Sequence, residues 1–244
     1  MPLHNYPSFT PKAVKPIECL QAGWDLINDQ YLLFVGMSLV ALLIGQLAPM
    51  GILAAPMMCG VYVVLFEKIR GRQVEFGTLF QGFDFFGQGV IAMLIHLVPV
   101  FLVIMPFCVI FVVGSLLLVL QNGREPPVGI FVALALLCGF VLLILLIGIS
   151  VLFTFAYPLI VDRKMQGVEA VKLSAQAALA NFWGLLGLLL LNALLGFLGV
   201  LCCYVGALLF LPVGFAATAC AYREVFGLAT AESFYPPPPP TDFR

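Results

Sequence analysis

The sequence predicts an all-α integral membrane protein of about six transmembrane helices. They are expected as three hairpins, each preceded by an interfacial amphipathic helix on the cytoplasmic side. Three observations carry this reading. Of the 244 residues, 63% are hydrophobic and only 9% are charged, where a soluble domain is about half apolar and about a quarter charged. So little charge cannot clothe a water-facing surface of this size. Six apolar stretches, 31–47, 52–66, 85–120, 128–157, 182–198 and 204–222, come near or exceed the roughly 20 residues that a span requires. Finally, the cations fall almost entirely on alternate connections.

Taken in order, residues 1–16 read as a cytoplasmic tail. The first apolar run begins only near Tyr31, later than in a cleavable signal peptide, so Met1 is expected on the mature chain. Next, Ile17, Leu20, Trp24, Ile27 and Tyr31 recur at spacings of three and four, one face of an amphipathic helix. Pro49 and Gly51 mark the turn between the first two spans. The third stretch, 85–120, would measure about 54 Å as one helix, against a bilayer core of about 30 Å. Either a kinked, tilted helix with bends at Pro99 and Pro106 absorbs the excess, or an apolar hairpin projects from the outer face, tipped by Arg124. Before it, Phe76, Leu79, Phe80 and Phe83 make an aromatic stripe, a weaker third copy of the amphipathic entry helix.

The first and last hairpins read as a repeat. Val168, Val171, Ala175, Ala178 and Phe182 reproduce the spacing of the first amphipathic face. Pro56 precedes Gly71 as Pro212 precedes Gly227. Residues 17–227 therefore form a single membrane domain, in which 17–71 and 168–227 are repeat-related hairpins and 72–162 is the long middle one. Residues 228–244 are a proline-rich cytoplasmic tail. Its prolines from Pro236 to Pro240 favour an extended polyproline II rod.

Lys12, Lys15, Lys68, Arg70, Arg72, Arg163, Lys164, Lys172, Arg223 and Arg244 all fall on the side of the two termini, leaving only Arg124 opposite. That asymmetry predicts cytoplasmic termini. With a net charge of −1 and no basic patch, nucleic acid is not an expected partner. The lipid bilayer is, together with other membrane-protein subunits.

Little in the chain points to chemistry. No Walker loop, H-E-x-x-H or G-x-S-x-G element is present, and no catalytic residue, cofactor or metal is assigned. His96 is the one titratable side chain, cysteines apart, well inside a predicted span, with Asn192 the strong polar residue of the fifth. An intramembrane His is a weak candidate for ligand binding and a better one for interhelical hydrogen bonding. Asp25, Asp29, Asp84 and Asp162 sit near the cytoplasmic boundary, where solvated charges are the usual reading. Ser38, Ser115 and Ser150 are expected to bond to their own backbone. Gly184, Gly187, Gly196 and Gly199, with the alanine-rich 216–221, predict close packing of the last two helices.

The segments R-G-R-Q-V-E-F-G-T-L-F-Q-G-F-D at 70–84, A-Y-P-L-I-V-D at 156–162 and A-Y-R-E-V-F-G at 221–227 resemble a group of six-helix bacterial inner-membrane proteins of unknown function. That group is similar to the membrane domain of some glycerophosphodiester phosphodiesterases. The resemblance implies a bacterial inner membrane and the six-helix fold, and it carries over no catalytic residue. The resulting expectation is a non-catalytic accessory or assembly subunit of a larger membrane complex, with Pro99, Pro106, Arg124, Pro236 and Pro240 as interface candidates. The alternative is a permease or lipid-handling protein for an apolar or zwitterionic substrate, with helix breaks at Pro56 and Pro212.

Overall fold

The computed structural model describes residues 8–120, 128–201 and 205–229. Arg124, Pro236 and Pro240, and with them the tip of the middle hairpin and the proline tail, lie outside the described residues. Within them the fold is all-helical, without a strand. Five stretches are long and apolar enough to cross a membrane: Pro16–Leu47, Phe76–Leu116, Val132–Arg163, Phe182–Leu201 and Gly206–Phe226.

Helix α1 (Pro16–Ile27) starts with a proline, whose missing N–H costs nothing in a first turn. It buries Cys19, Gly23 and Ile27 while Ile17 and Trp24 stay exposed. Rather than lying free on a surface, α1 runs antiparallel along α9 (Val205–Phe226). A Cβ on Gly23 would stand 2.5 Å from the Ala217 nitrogen, and the Tyr31 hydroxyl donates to the Leu209 carbonyl at 2.6 Å. The alanine-rich face of α9 thus takes α1 as its closest neighbour, a pairing that the amphipathic spacing does not disclose.

A 3-10 turn leads into α2 (Tyr31–Leu47), and a second, Pro49–Gly51, into α3 (Ala54–Ile69). Ten of the sixteen residues of α3 are buried, among them Pro56 in its first turn, so α3 is the axis on which the other elements pack. Its end is marked by Gly71 at φ 74°, and α9 is followed by Gly227 at φ 64°. Both glycines occupy the left-handed position that closes a helix and that β-carbon residues resist. Helices α3 and α9 therefore end in the same way. Their prolines differ, because Pro56 opens α3 whereas Pro212 lies inside α9.

The aromatic stripe forms a 3-10 helix, Phe76–Phe85. Ten residues is long for this type, whose runs rarely exceed about four. Its period of three turns Leu79 and Gly82 onto α3 and leaves Phe80 and Phe83 exposed. Gly82 seats on the Pro56 carbonyl and the Gly60 backbone, where no β-carbon fits.

Helix α4 (Phe86–Leu120) continues through Pro99 and Pro106, and α5 (Val128–Phe153) returns beside it. The apolar stretch runs the fourth span on to residue 157, but the helix stops at Phe153 and restarts as α6 (Ala156–Arg163). Pro158 favours the break, since its ring would meet the carbonyl four residues earlier in an unbroken helix. Ser174 of α7 (Gly167–Ala180) takes up the freed groups. Its hydroxyl accepts from the Phe155 amide at 3.1 Å and donates to the Leu152 carbonyl at 2.7 Å. The Gly167 amide donates to Gln88 Oε1 at 2.8 Å, so α7 crosses the bases of both α4 and α5. At its junction with α8 (Phe182–Leu201), Asn181 accepts from the Ala13 amide at 2.8 Å and donates to the Thr10 carbonyl at 3.2 Å, fastening the N-terminal segment.

The ionic side chains gather where these elements end. Asp162 has no exposed side-chain surface. It receives Arg70 Nη2 at 2.7 Å, the Tyr222 hydroxyl at 2.9 Å and the Ala229 amide at 3.0 Å. Arg163 lies 3.3 Å away and donates to the Phe226 carbonyl at 3.0 Å. Phe66, Phe155, Tyr222 and Phe226 pack around Tyr222 in tilted and edge-to-face contacts with ring centroids 5.1–6.1 Å apart. Lys68 pairs with Asp29 and reaches Gln30, tying the end of α3 to the start of α2.

Asp162→Ala leaves two arginines facing a vacated buried site and should lower stability by about 3 kcal/mol. Glu67→Gln, which removes a partly exposed partner of Arg70 and Arg72, should cost under about 1 kcal/mol. Thermal unfolding of the detergent-solubilised chain checks both, and equal shifts would contradict this ranking.

Candidate functional site

A cavity of about 540 Å³ lies between the α4/α5 arm and the α8/α9 hairpin, within the usual size of small-molecule sites, about 300 to 1,000 Å³. Its floor comes from Met58 and Tyr62 of α3 and Tyr157 of α6. His96 of α4, Ser150 of α5, Thr154, Asn192 of α8 and Thr218 of α9 supply polar groups around that floor. Leu195, Val200, Ala207, Phe210 and Leu211 make the rest of the wall. Val200 and Phe210 are each 38% exposed, so the apolar end of the cavity opens on the flank of the bundle.

Two of the polar groups stand at matching positions on their helices. His96 stands ten residues after the first residue of α4, and Asn192 ten after the first of α8. At about 1.5 Å per residue each side chain is carried about 15 Å along its axis. Both side chains line the cavity. Asn192 shares its face of α8 with Leu189, Leu195, Gly196 and Val200, all of them lining the cavity. Gly214 of α9 packs against its amide, where a Cβ would stand in ordinary contact 3.5 Å from Asn192 Oδ1.

Three of the hydroxyls around the floor are committed as donors to backbone carbonyls. Ser150 donates to the Leu146 carbonyl at 2.9 Å, Thr154 to Ser150 at 3.0 Å and Thr218 to Gly214 at 2.9 Å. Back-bonding of this kind is how a hydroxyl is satisfied in an apolar helix, and Ser115 does the same on α4. Their remaining lone pairs are acceptors. His96 stacks on Phe153 with centroids 4.4 Å apart. Two buried side-chain atoms among the described residues have no hydrogen-bond partner, Arg163 Nε and Asn192 Oδ1. The first has Asp162 beside it, which leaves the Asn192 oxygen as the orphan. No Lys, Arg, Asp or Glu lines the cavity.

The other singled-out positions scatter. Of the four glycines of α8, Gly199 meets Gly206 and Ala207 of α9, whereas Gly184 and Gly187 receive Val14 and Pro16 of the N-terminal segment. Gly196 has no neighbour within 4 Å of a built Cβ and faces the cavity. Pro106 borders a shallow apolar groove with Phe101, Leu102, Met105, Val109 and Ile110, apart from the cavity, and Pro99 lies about two turns before Pro106 on α4. Asp162 serves the ionic cluster, and Asp84 is exposed. Among the described residues no three His, Cys, Asp or Glu converge as metal ligands. Sequence reading singles out His96 and Asn192 separately. It misses Tyr62, Tyr157 and Thr218, whose only signal is a polar atom in an otherwise apolar helix.

Comparison with protein-family models, with curated proteins and with solved structures returns no match for this chain.

Proposed function

We propose that this multi-pass membrane protein binds an amphiphilic small molecule or lipid in the cavity between its middle and last hairpins, as a permease or lipid-handling protein would. The observation that carries the reading is an orphan buried acceptor, Asn192 Oδ1, in a cavity with a polar floor and an apolar flank opening. Polar groups in apolar helices are costly and mark binding sites or pathways, and a cleft with a few convergent polar groups is the usual form of a small-molecule site.

The proposed topology has six spans in three hairpins, with both termini in the cytoplasm of a bacterial inner membrane. Helix α3 is the sixth span, although its sixteen residues cover only about 24 Å. Its burial by other helices supports this, because little of it need match lipid. The Lys68–Asp29 pair supports a return to the end where α2 began, and Asp162 joins the ends of α3, α6 and α9 in the same way. Exposed Trp24, Phe80 and Phe83 beside exposed charges such as Asp25 and Asp84 suit an interfacial level. The bacterial assignment rests on the resemblance of the segments 70–84, 156–162 and 221–227. A reporter enzyme fused after Ala229 should be active only in its cytoplasmic form, and periplasmic activity there would overturn the orientation.

Gly196→Trp tests the cavity directly, since a side chain at that position projects into it without meeting backbone. The purified chain should carry a co-extracted amphiphile near one per protein, detectable by mass spectrometry, and the variant should lose it while remaining folded. Equal lipid content in both would contradict the reading.

A second reading, an accessory subunit of a larger membrane complex, is favoured by the arm. Helix α4 has 35 residues, about 52 Å, and beyond Ala92 none of its described residues is buried. Apolar surface of this extent is commonly covered by a partner. After gentle extraction, stoichiometric migration with one large complex is the outcome this reading expects, and migration of the chain alone would remove it.

A further inference from the structure

We infer that the ligand of this cavity is a neutral, long-chain molecule whose polar end is a hydrogen-bond donor, above all a hydroxyl, bound with that end at the Asn192 floor and its chain towards the flank opening. The inference rests on the cavity reading above and narrows it by chemistry.

Charge is the first constraint. No cationic side chain lines the cavity, so a phosphate or carboxylate head would enter uncompensated. No anionic side chain lines it either, which disfavours an ammonium group. An unpaired charge in such surroundings is far costlier than a neutral polar group. The zwitterionic phospholipid head combines both problems. The cations nearest in the fold, Arg70 and Arg163, are already engaged by Asp162 and by backbone carbonyls.

Hydrogen-bond polarity is the second. Ser150, Thr154 and Thr218 spend their protons on their own helices, and Asn192 Oδ1 accepts from nothing. These acceptors stand beside groups that can donate, the Tyr62 and Tyr157 hydroxyls, the His96 imidazole and the Asn192 amide nitrogen. A ketone, ester or ether could accept from these but would leave Asn192 Oδ1 unmatched, whereas a hydroxyl both accepts and supplies the missing proton. A buried acceptor left unmatched is unfavourable, so the vacancy itself selects for a donor.

Direction is the third. The polar residues lie nearest the ionic cluster, and Val200, Ala207 and Phe210 lie towards the opposite ends of α8 and α9. Because Val200 and Phe210 also face outwards, an alkyl chain leaving the floor passes directly into the surrounding lipid.

The test compares two photoreactive probes on the full chain in nanodiscs, a diazirine-bearing long-chain alcohol and a diazirine-bearing phosphatidylcholine, with cross-linked residues mapped by mass spectrometry. The alcohol should label the cavity wall around Leu195 and Phe210 in preference to the phospholipid. Asn192→Leu, similar in volume, should reduce that labelling about tenfold, as expected for one buried hydrogen bond. Labelling of the exposed α4 surface near Leu102 should not change. Gly196→Phe, which occupies the cavity but keeps Asn192, should abolish the signal as well. If the phospholipid labels the wall as strongly and Asn192→Leu has no effect, the hydroxyl inference fails while the cavity reading survives. If neither probe labels the wall, both fail.

Discussion

A carboxylate without exposed surface, held by Arg70, Tyr222 and the Ala229 amide and flanked by Arg163, fixes the ends of α3, α6 and α9 against one another. The arrangement is costly to create, because burying charge is compensated only when nearly every lone pair and proton has a partner. Here both oxygens are engaged, and Arg163 also satisfies carbonyls at the end of α9, where no further helical turn exists to take them. The site therefore closes a helix terminus and locks three elements together. The aromatic cluster of Phe66, Phe155, Tyr222 and Phe226 beside it keeps water away, which strengthens the ion pairs further.

One tightly bonded end leaves the other end free to diverge. Above the cluster, α8 and α9 are drawn together at Gly199, but nothing comparable draws the α4/α5 arm towards them. Helices anchored at one end and unclamped at the other enclose a wedge, and the cavity occupies it. The cavity is in this sense a by-product of where the polar contacts are placed, which also explains its gradient. Polar residues accumulate near the anchored end, where side chains from several helices can share hydrogen bonds. Apolar residues line the end that meets lipid.

The sequence discloses much of the architecture because membrane helices obey strong local rules. Apolar stretches 31–47 and 182–198 coincide closely with α2 and α8, and the matched glycines Gly71 and Gly227 share one backbone conformation. The break before α6 falls one turn ahead of Pro158, but Pro99, Pro106 and Pro212 sit inside continuous helices, so a proline alone does not announce a break, and hydrophobicity runs straight through it. What could not be read were long-range pairings. Nothing in the segments 70–84 or 156–162 says that Arg70 meets Asp162, or that Gly184 and Gly187 receive the N-terminal segment instead of α9. Small residues announce that something approaches closely and are silent on its identity. The site was half legible. His96 and Asn192 stand out as polar exceptions, yet nothing in the sequence says that they line one cavity.

That a polar residue in an apolar helix needs a partner makes the difference between Ser150 and Asn192 informative. A serine or threonine can be satisfied by its own helix, so Ser115, Ser150, Thr154 and Thr218 carry no obligation to a ligand. An asparagine at the level of Asn192 cannot discharge its carbonyl oxygen in this way, because that oxygen has lone pairs to fill and no proton to give to a backbone carbonyl. Its need can be met only from outside its helix. Gly214 and the back-bonded hydroxyls give it nothing, and the hydroxyls of Tyr62 and Tyr157, which also line the cavity, are not bonded to it. On the proposed reading the donor arrives with the molecule that occupies the cavity, and this asymmetry would give an otherwise apolar cleft its chemical selectivity.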